Sequence, residues 1–203
     1  MKFYHIKDDF IAYLQKFDTK VAENKNQTRP YVGVVLEINS VKYYAPFSSP
    51  KPKHKKMKNG KDFRKINNGL YGAINFNNMI PVLDSALLEI DIANIADVKY
   101  RRLLQNQYNF IKADEKGILK TAEYLRKLIF EDEKNLSEYD KIVKQRCCNL
   151  VLLEEKYIEW KKYRLTKLQS RQTGLFAAKL LASRFAVQPV VMWTPALGCL
   201  FVK

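Results

Sequence analysis

The apolar pattern of this chain changes period halfway along. Phe3 to Ile6 predicts a short strand, and Phe10, Ile11, Leu14 and Phe17 then recur at helical spacing behind Asp8, a residue suited to capping a helix. Residues 19–29 are polar, with Asn24, Asn26, Gln27 and Thr28 among them, and read as a loop. Tyr31 to Ile38 is dense in β-branched and aromatic residues and predicts a strand. Asn39 and Ser40 make a two-residue turn, and Val41 to Phe47 returns as the second arm of a hairpin. Asn67-Asn68-Gly69 marks another turn, followed by strands over Leu70–Phe76, Met79–Leu83 and Leu87–Ile92.

Beyond these strands the spacing becomes helical. Leu103, Leu104, Tyr108 and Ile111 share one face, and Ile118, Ala122, Leu125 and Ile129 another. Val143, Cys147, Leu150, Leu153, Tyr157 and Trp160 form a third stripe, which puts Cys147 and Cys148 on the last long helix. Five or six strands followed by helices predict an α+β fold, a small curled sheet with helices beside it. After about Tyr163 the composition shifts: residues 164–203 hold six Lys/Arg, no acid and an apolar ending, Leu200-Phe201-Val202. We divide the chain into a domain over 1–163 and a basic, apolar appendage over 164–203, of no assigned role.

Charge sharpens the picture. The 203 residues carry 36 Lys+Arg against 21 Asp+Glu, a net +15, and residues 51–65 concentrate eight of these cations against Asp62 alone. Such an excess calls for a polyanionic partner, nucleic acid first and an anionic membrane surface second. The basic run reads as a flexible loop able to neutralise several phosphates, and not as a core element. Hydrophobic residues at 47% exclude general disorder. No run of about 18 uncharged apolar residues predicts a membrane span. The three cysteines have no metal-ligand spacing and suit a reducing, cytoplasmic setting. The acids show no two-metal pattern and the scattered glycines no phosphate loop.

The chemistry gathers at Tyr43-Tyr44-Ala45-Pro46-Phe47-Ser48-Ser49-Pro50-Lys51-Pro52-Lys53-His54. Hydroxyls and backbone amides here suit a phosphodiester, with lysines to neutralise it. Taken alone, Ser-Ser-Pro is also an ordinary turn at a strand end. Arg29, just ahead of the long strand, is suited to clamp a phosphate but not to act as a base, since it keeps its proton. His5 lies in a strand and reads as structural. His54 sits among lysines that favour its neutral form, which suits a proton acceptor and would hold for any histidine so placed. Phe110, off the apolar stripe, is equally a stacking ring for a base and a packed one.

Several segments in order resemble the ToxN/AbiQ family, the protein toxins of type III toxin–antitoxin systems. They are Met1-Lys2-Phe3-Tyr4, Tyr31-Val32-Gly33-Val34-Val35-Leu36-Glu37-Ile38, Lys42-Tyr43-Tyr44-Ala45-Pro46 with Ser48-Ser49-Pro50-Lys51, Ala73-Ile74-Asn75-Phe76 with Met79-Ile80-Pro81-Val82, Asn109-Phe110-Ile111-Lys112-Ala113, and Leu152-Leu153-Glu154-Glu155-Lys156-Tyr157. The resemblance covers about residues 1–163. It implies a compact SH3-like β-barrel of the MazF/Kid/CcdB kind with flanking helices. It also implies a metal-independent endoribonuclease that needs no cofactor, cuts single-stranded, A-rich mRNA, and leaves a 2′,3′-cyclic phosphate and a 5′-hydroxyl. The implied partner is a small pseudoknot RNA antitoxin, processed by the toxin and closed with it into a ring, commonly three of each, in phage abortive infection or plasmid maintenance. The family's serine maps onto Ser49, its neighbouring hydroxyl onto Ser48, its lysine onto Lys51 and a basic residue onto Arg29, where some relatives carry lysine. RNA contacts are expected from Tyr31, Tyr44, Lys53, His54, Lys55, Lys56, Lys58, Asn109 and Phe110. Lys53 stands where some relatives have an aromatic ring. A non-catalytic RNA binder using the same loop, or a gyrase-poisoning toxin on the same fold, are the competing readings.

Overall fold

The structure is a computed structural model and describes residues 1–184, with nothing said of the side chains of Val34 and of 171–184. The apolar end at Leu200-Phe201-Val202 lies outside the described residues. Two compact units divide the chain, Met1–Lys161 and Lys162–Lys203.

Seven strands form one antiparallel sheet: β1 (Lys2–Ile6), β2 (Tyr31–Ile38), β3 (Val41–Ser48), β4 (Phe63–Lys65), β5 (Ala73–Asn75), β6 (Ile80–Pro81) and β7 (Leu87–Glu89). The order is β4-β5-β3-β2-β1-β7, with β6 pairing β3 off this path. The hairpin predicted over Tyr31–Phe47 forms. Asn39 and Ser40 both take positive φ, 49° and 63°, the twist that a two-residue loop needs to match its strands. In β2 the register shifts between Val32, opposite Ala45, and Leu36, opposite Tyr43. Gly33 sits in that irregular stretch, and a Cβ there would lie 2.0 Å from the Tyr44 ring. Only glycine lets the ring cross the neighbouring strand.

The expected SH3-like barrel is not what forms. The sheet ends at β4 and β7, which do not pair with each other, so it is open. Closing a barrel requires first and last strands that tilt and pair along their length. Here both edge strands have three residues. The strands expected over Leu70–Phe76, Met79–Leu83 and Leu87–Ile92 shorten to β5, β6 and β7, with 3₁₀ turns taking up the remainder.

Among the described residues six α-helices accompany the sheet: α1 (Asp8–Gln15), α2 (Pro52–Lys56), α3 (Val98–Ala113), α4 (Glu115–Phe130), α5 (Glu138–Arg146) and α6 (Leu150–Arg184). Phe10, Ile11 and Leu14 of α1, Leu104 and Ile111 of α3, and Ile118, Ala122, Leu125 and Ile129 of α4 join Phe3, Val32, Val35, Tyr43 and Ile80 of the sheet in one core. Asp8 does not cap α1; Lys7 holds that position, and the Asp8 carboxylate instead accepts from Asn24 and from the Gln27 amide. The stripe expected as one helix through Val143–Trp160 breaks at Cys147 and Cys148. There the Cys148 amide donates to the Asn77 carbonyl at 2.8 Å, and the Asn149 amide to Asp18 at 2.7 Å. Among the described residues no helix is long and apolar enough to cross a membrane.

Candidate active site

β3 ends at Ser48, and the chain leaves the sheet through exposed Ser49, Pro50 and Lys51 into the first turn of α2, where Pro52 takes the N1 position it favours. This exit is tightly underpinned. Gly72 has φ +88°, and a Cβ there would stand 2.0 Å from the Ser48 carbonyl oxygen and 3.1 Å from the Ser49 carbonyl carbon. The backbone of 72 is thus pressed against the serines, holding them from below.

Arg29 reaches the same place through the register of β2 on β3. The Phe47 amide donates to the Pro30 carbonyl at 2.9 Å, which fixes residues 29–30 beside 47–48. The Arg29 guanidinium donates to the carbonyls of Glu23 and, at 3.4 Å, Phe47. Two of its five N–H groups are engaged by these bonds, so the fork is oriented while others stay available for an anion. The loop that carries it is anchored by buried Asn24, which donates to the Ile6 carbonyl at 2.7 Å.

A cavity of about 460 Å³ opens at this junction. Arg29, Ser48, Ser49 and Lys51 line it, together with Phe47 of β3 and Tyr100, Leu103, Leu104 and Gln107 of α3. A second cavity of about 530 Å³ shares Ser48 and Lys51 and continues past Lys53, His54, Lys58, Phe63, Asn75, Asn77 and Tyr139. Ser48 and Lys51 are thus common to both cavities.

The residues expected at the site from sequence divide clearly. Arg29, Ser48, Ser49 and Lys51 meet at the first cavity, and Lys53, His54 and Lys58 at the second. Lys55 and Lys56 are exposed on α2 and line neither. Lys51, Lys53, Lys55, Lys56 and Lys58 form no salt bridge among the described residues. Tyr31 and Tyr44 lie in the core at 0% and 1% exposure, and burial pushes both phenols well above their usual range. They support the floor and present no surface for RNA. Asn109 is exposed and bonded to Gln105 at 3.1 Å, while Phe110 packs against the core; neither lines these two cavities.

The basic run is not the plain loop expected. It holds α2 and β4, buries His54 at 1% exposure, and buries Asp62 against a bidentate contact from Arg146 at 2.6 and 2.9 Å. Burial first, then Lys51 and Lys53, hold the His54 pKa below its ordinary value, and its Nδ1 has no hydrogen-bond partner. Two residues at the site were missed from sequence. His5 lines the first cavity; its Nδ1 lies 3.2 Å from the Arg29 carbonyl, which only accepts, so in the neutral ring Nε2 is left as the proton acceptor. Gln107 is the other, a polar residue set within an apolar stripe, which was its visible signal. Among the described residues no three His, Cys, Asp or Glu side chains gather as a metal site.

Paired hydroxyls with cations from the segments just before β2 and just after β3, on a chain carrying +15, are the groups of a protein suited to hold a nucleic-acid strand. Within that class the chain belongs to the ToxN family: the family described as Toxin ToxN, type III toxin-antitoxin system, matches residues 2–158. It is 34% identical over 172 residues to Endoribonuclease ToxN of Pectobacterium atrosepticum, covering 80% of this chain and 95% of that one. Among solved structures, a type III toxin selectively inhibited by a non-coding RNA pseudoknot superposes with TM-score 0.70 at 35% identity, over 79% of this chain and 97% of that one. AbiQ, a lactococcal anti-phage endoribonuclease, superposes with TM-score 0.65 at 27% identity, over 79% and 98%. The protein is a type III toxin endoribonuclease.

Proposed function

We propose that this toxin cuts single-stranded, A-rich mRNA in the cytoplasm by in-line attack of a ribose 2′-hydroxyl on its own 3′-phosphate, leaving a 2′,3′-cyclic phosphate and a 5′-hydroxyl. The observation that carries this reading is the convergence of Arg29, Ser48, Ser49 and Lys51 on one cavity. The scissile phosphate sits at Ser48 and Lys51, which both cavities share. Ser48 and Ser49 donate to its non-bridging oxygens, and Arg29 and Lys51 neutralise the charge that grows on phosphorus as the 2′-oxygen bonds to it. His5, with Nε2 as its free acceptor, takes the 2′-hydroxyl proton. Tyr44 is a poor partner for this step because its phenol is held above the usual range in the core. As the 5′-oxygen leaves, exposed Ser49 turns its hydroxyl proton to it and takes one back from solvent, so the proton balance closes. Lys53, Lys55, Lys56 and Lys58 hold the flanking backbone.

The pseudoknot that inhibits the related toxin supports the same kind of partner here. We propose a repeat-encoded RNA that this protein processes and is then held by, in a ring commonly of three toxins and three RNAs, serving defence against phage.

The deciding experiment incubates the protein with A-rich RNA in EDTA. The expected products end in a cyclic phosphate. Ser49→Ala is expected to lower the rate on the order of a hundredfold or more while leaving the fold unchanged. A folded Ser49→Ala protein cutting at the parent rate would overturn the assignment, and cleavage abolished by EDTA would overturn the metal-independent route.

A further inference from the structure

Gln107 is buried on α3 at 2% exposure, yet only half of its carboxamide is used. Its Nε2 donates to the Tyr71 carbonyl at 2.7 Å, whereas Oε1 has no hydrogen-bond partner. The Tyr71 contact also sets the amide's orientation, since a flipped amide would turn oxygen toward a carbonyl oxygen. Gln107, a residue of the first cavity's wall, therefore holds an unpartnered acceptor in a fixed orientation, with one Nε2 N–H given to Tyr71. Buried polar atoms are nearly always satisfied, so an orphan acceptor on a residue that lines a cavity points to a ligand that supplies the donor.

The surroundings say which kind. Tyr100, Leu103 and Leu104 lie along α3 at the same helical spacing as Gln107, and Phe47 faces in from β3. These are apolar walls, suited to the flat face of a base and unsuited to a phosphate, which an acceptor oxygen would repel. The charge-binding groups, Arg29, Ser48, Ser49 and Lys51, line the same cavity and come from β3 and the segments beside it, not from α3. A nucleotide held by both sets of residues places its phosphate at Ser48 and Lys51 and its base against α3.

We propose that Gln107 is a specificity-determining residue: its Oε1 accepts a hydrogen bond from the exocyclic amino group of an unpaired base seated in the cavity beside Ser48 and Ser49. Adenine, cytosine and guanine carry such a group; uracil does not. A site built to bond an amino group rejects a base lacking it, because the buried acceptor is then left unpaired. The inference rests on the cleavage reading above and names what that site selects.

The test uses the full chain and short single-stranded RNAs with one base at a time, around the cleaved bond, replaced by its desamino counterpart: purine for adenine, 2-pyrimidinone for cytosine, hypoxanthine for guanine. At one position the parent is expected to discriminate by about tenfold in kcat/KM, the effect of one net hydrogen bond and its unpaired partner. Gln107→Met, which keeps the side chain's length and removes its acceptor, is expected to lose that discrimination while still cutting the desamino strand. The same comparison by affinity, on strands with the 2′-hydroxyl at the cleaved position replaced by hydrogen, reads base recognition without chemistry. Equal treatment of amino and desamino strands by the parent at every position overturns the proposal. So does a folded Gln107→Met protein that keeps the discrimination. If the affinity difference is present but no strand is cut, the cleavage reading fails and this one stands.

Discussion

At the scale of single residues, the site depends on a glycine that touches no RNA. Ser49 can be placed only if the backbone of Ser48 to Pro50 runs over residue 72, and the space between them admits no Cβ. Gly72→Ala must push the serine backbone outward and must also hold an L-residue at φ +88°. A displacement of about 1 Å at reacting atoms is worth on the order of a hundredfold in rate. We expect Gly72→Ala to cut RNA about a hundredfold more slowly while binding it with nearly the parent's affinity, because the lysines on α2 are untouched. Rate and affinity measured side by side decide this; an unchanged rate would show that the serines are held by something else. The serines were singled out only through the ordered family resemblance, because Ser-Ser-Pro ahead of Lys51 is by itself also an ordinary turn. Arg29, His5 and Gln107 were harder, because their meeting depends on strand register and on where α3 lies, neither of which spacing along the chain encodes.

At the scale of elements, the hairpin β2–β3 was readable because β-branched and aromatic residues and a two-residue turn agree with one another. The basic run was misread for the opposite reason. Its eight cations drown the signal of what holds it: Asp62 to Arg146, 84 residues away, and His54 packed inside against the Phe63 ring at 5.7 Å. The helix break at Cys147–Cys148 was equally hidden, since the apolar stripe continues across it and the groups that stop the helix come from Asp18 and Asn77. His54 makes the run sensitive to acid. Its pKa is held below 6.5, so the folded protein binds a proton less readily than the unfolded chain. Its effect on stability is nil well above 6.5; below that value the unfolded chain takes up the proton first and stability is lost, until pH passes the lowered folded value. The loss is at most about 1.4 kcal/mol per pH unit. His54→Asn, which cannot charge, is expected to melt with a flatter dependence than the parent between neutral pH and mild acid. Parallel curves for the two proteins would remove His54 as the cause.

At the scale of the whole molecule, the question is where the nuclease ends. The family match stops at residue 158, and the residues of both cavities all fall within Met1–Lys161. The six cations of 164–203 are extra charge, and residues 1–163 still carry +9. We propose that residues 1–163 contain the whole enzyme, and salt dependence separates this from a tail that helps to hold RNA. Each phosphate contact to a single strand contributes about 0.7 to the slope of log affinity against log salt. If the grip comes from α2 and its flanks, neutralising Lys53, Lys55, Lys56 and Lys58 together lowers that slope by about 3, whereas ending the chain after residue 163 leaves both slope and cleavage rate as they were. A slope that falls on truncation would place part of the RNA path on residues 164–203. A rate that falls with an unchanged slope would make those residues a support for the folded domain.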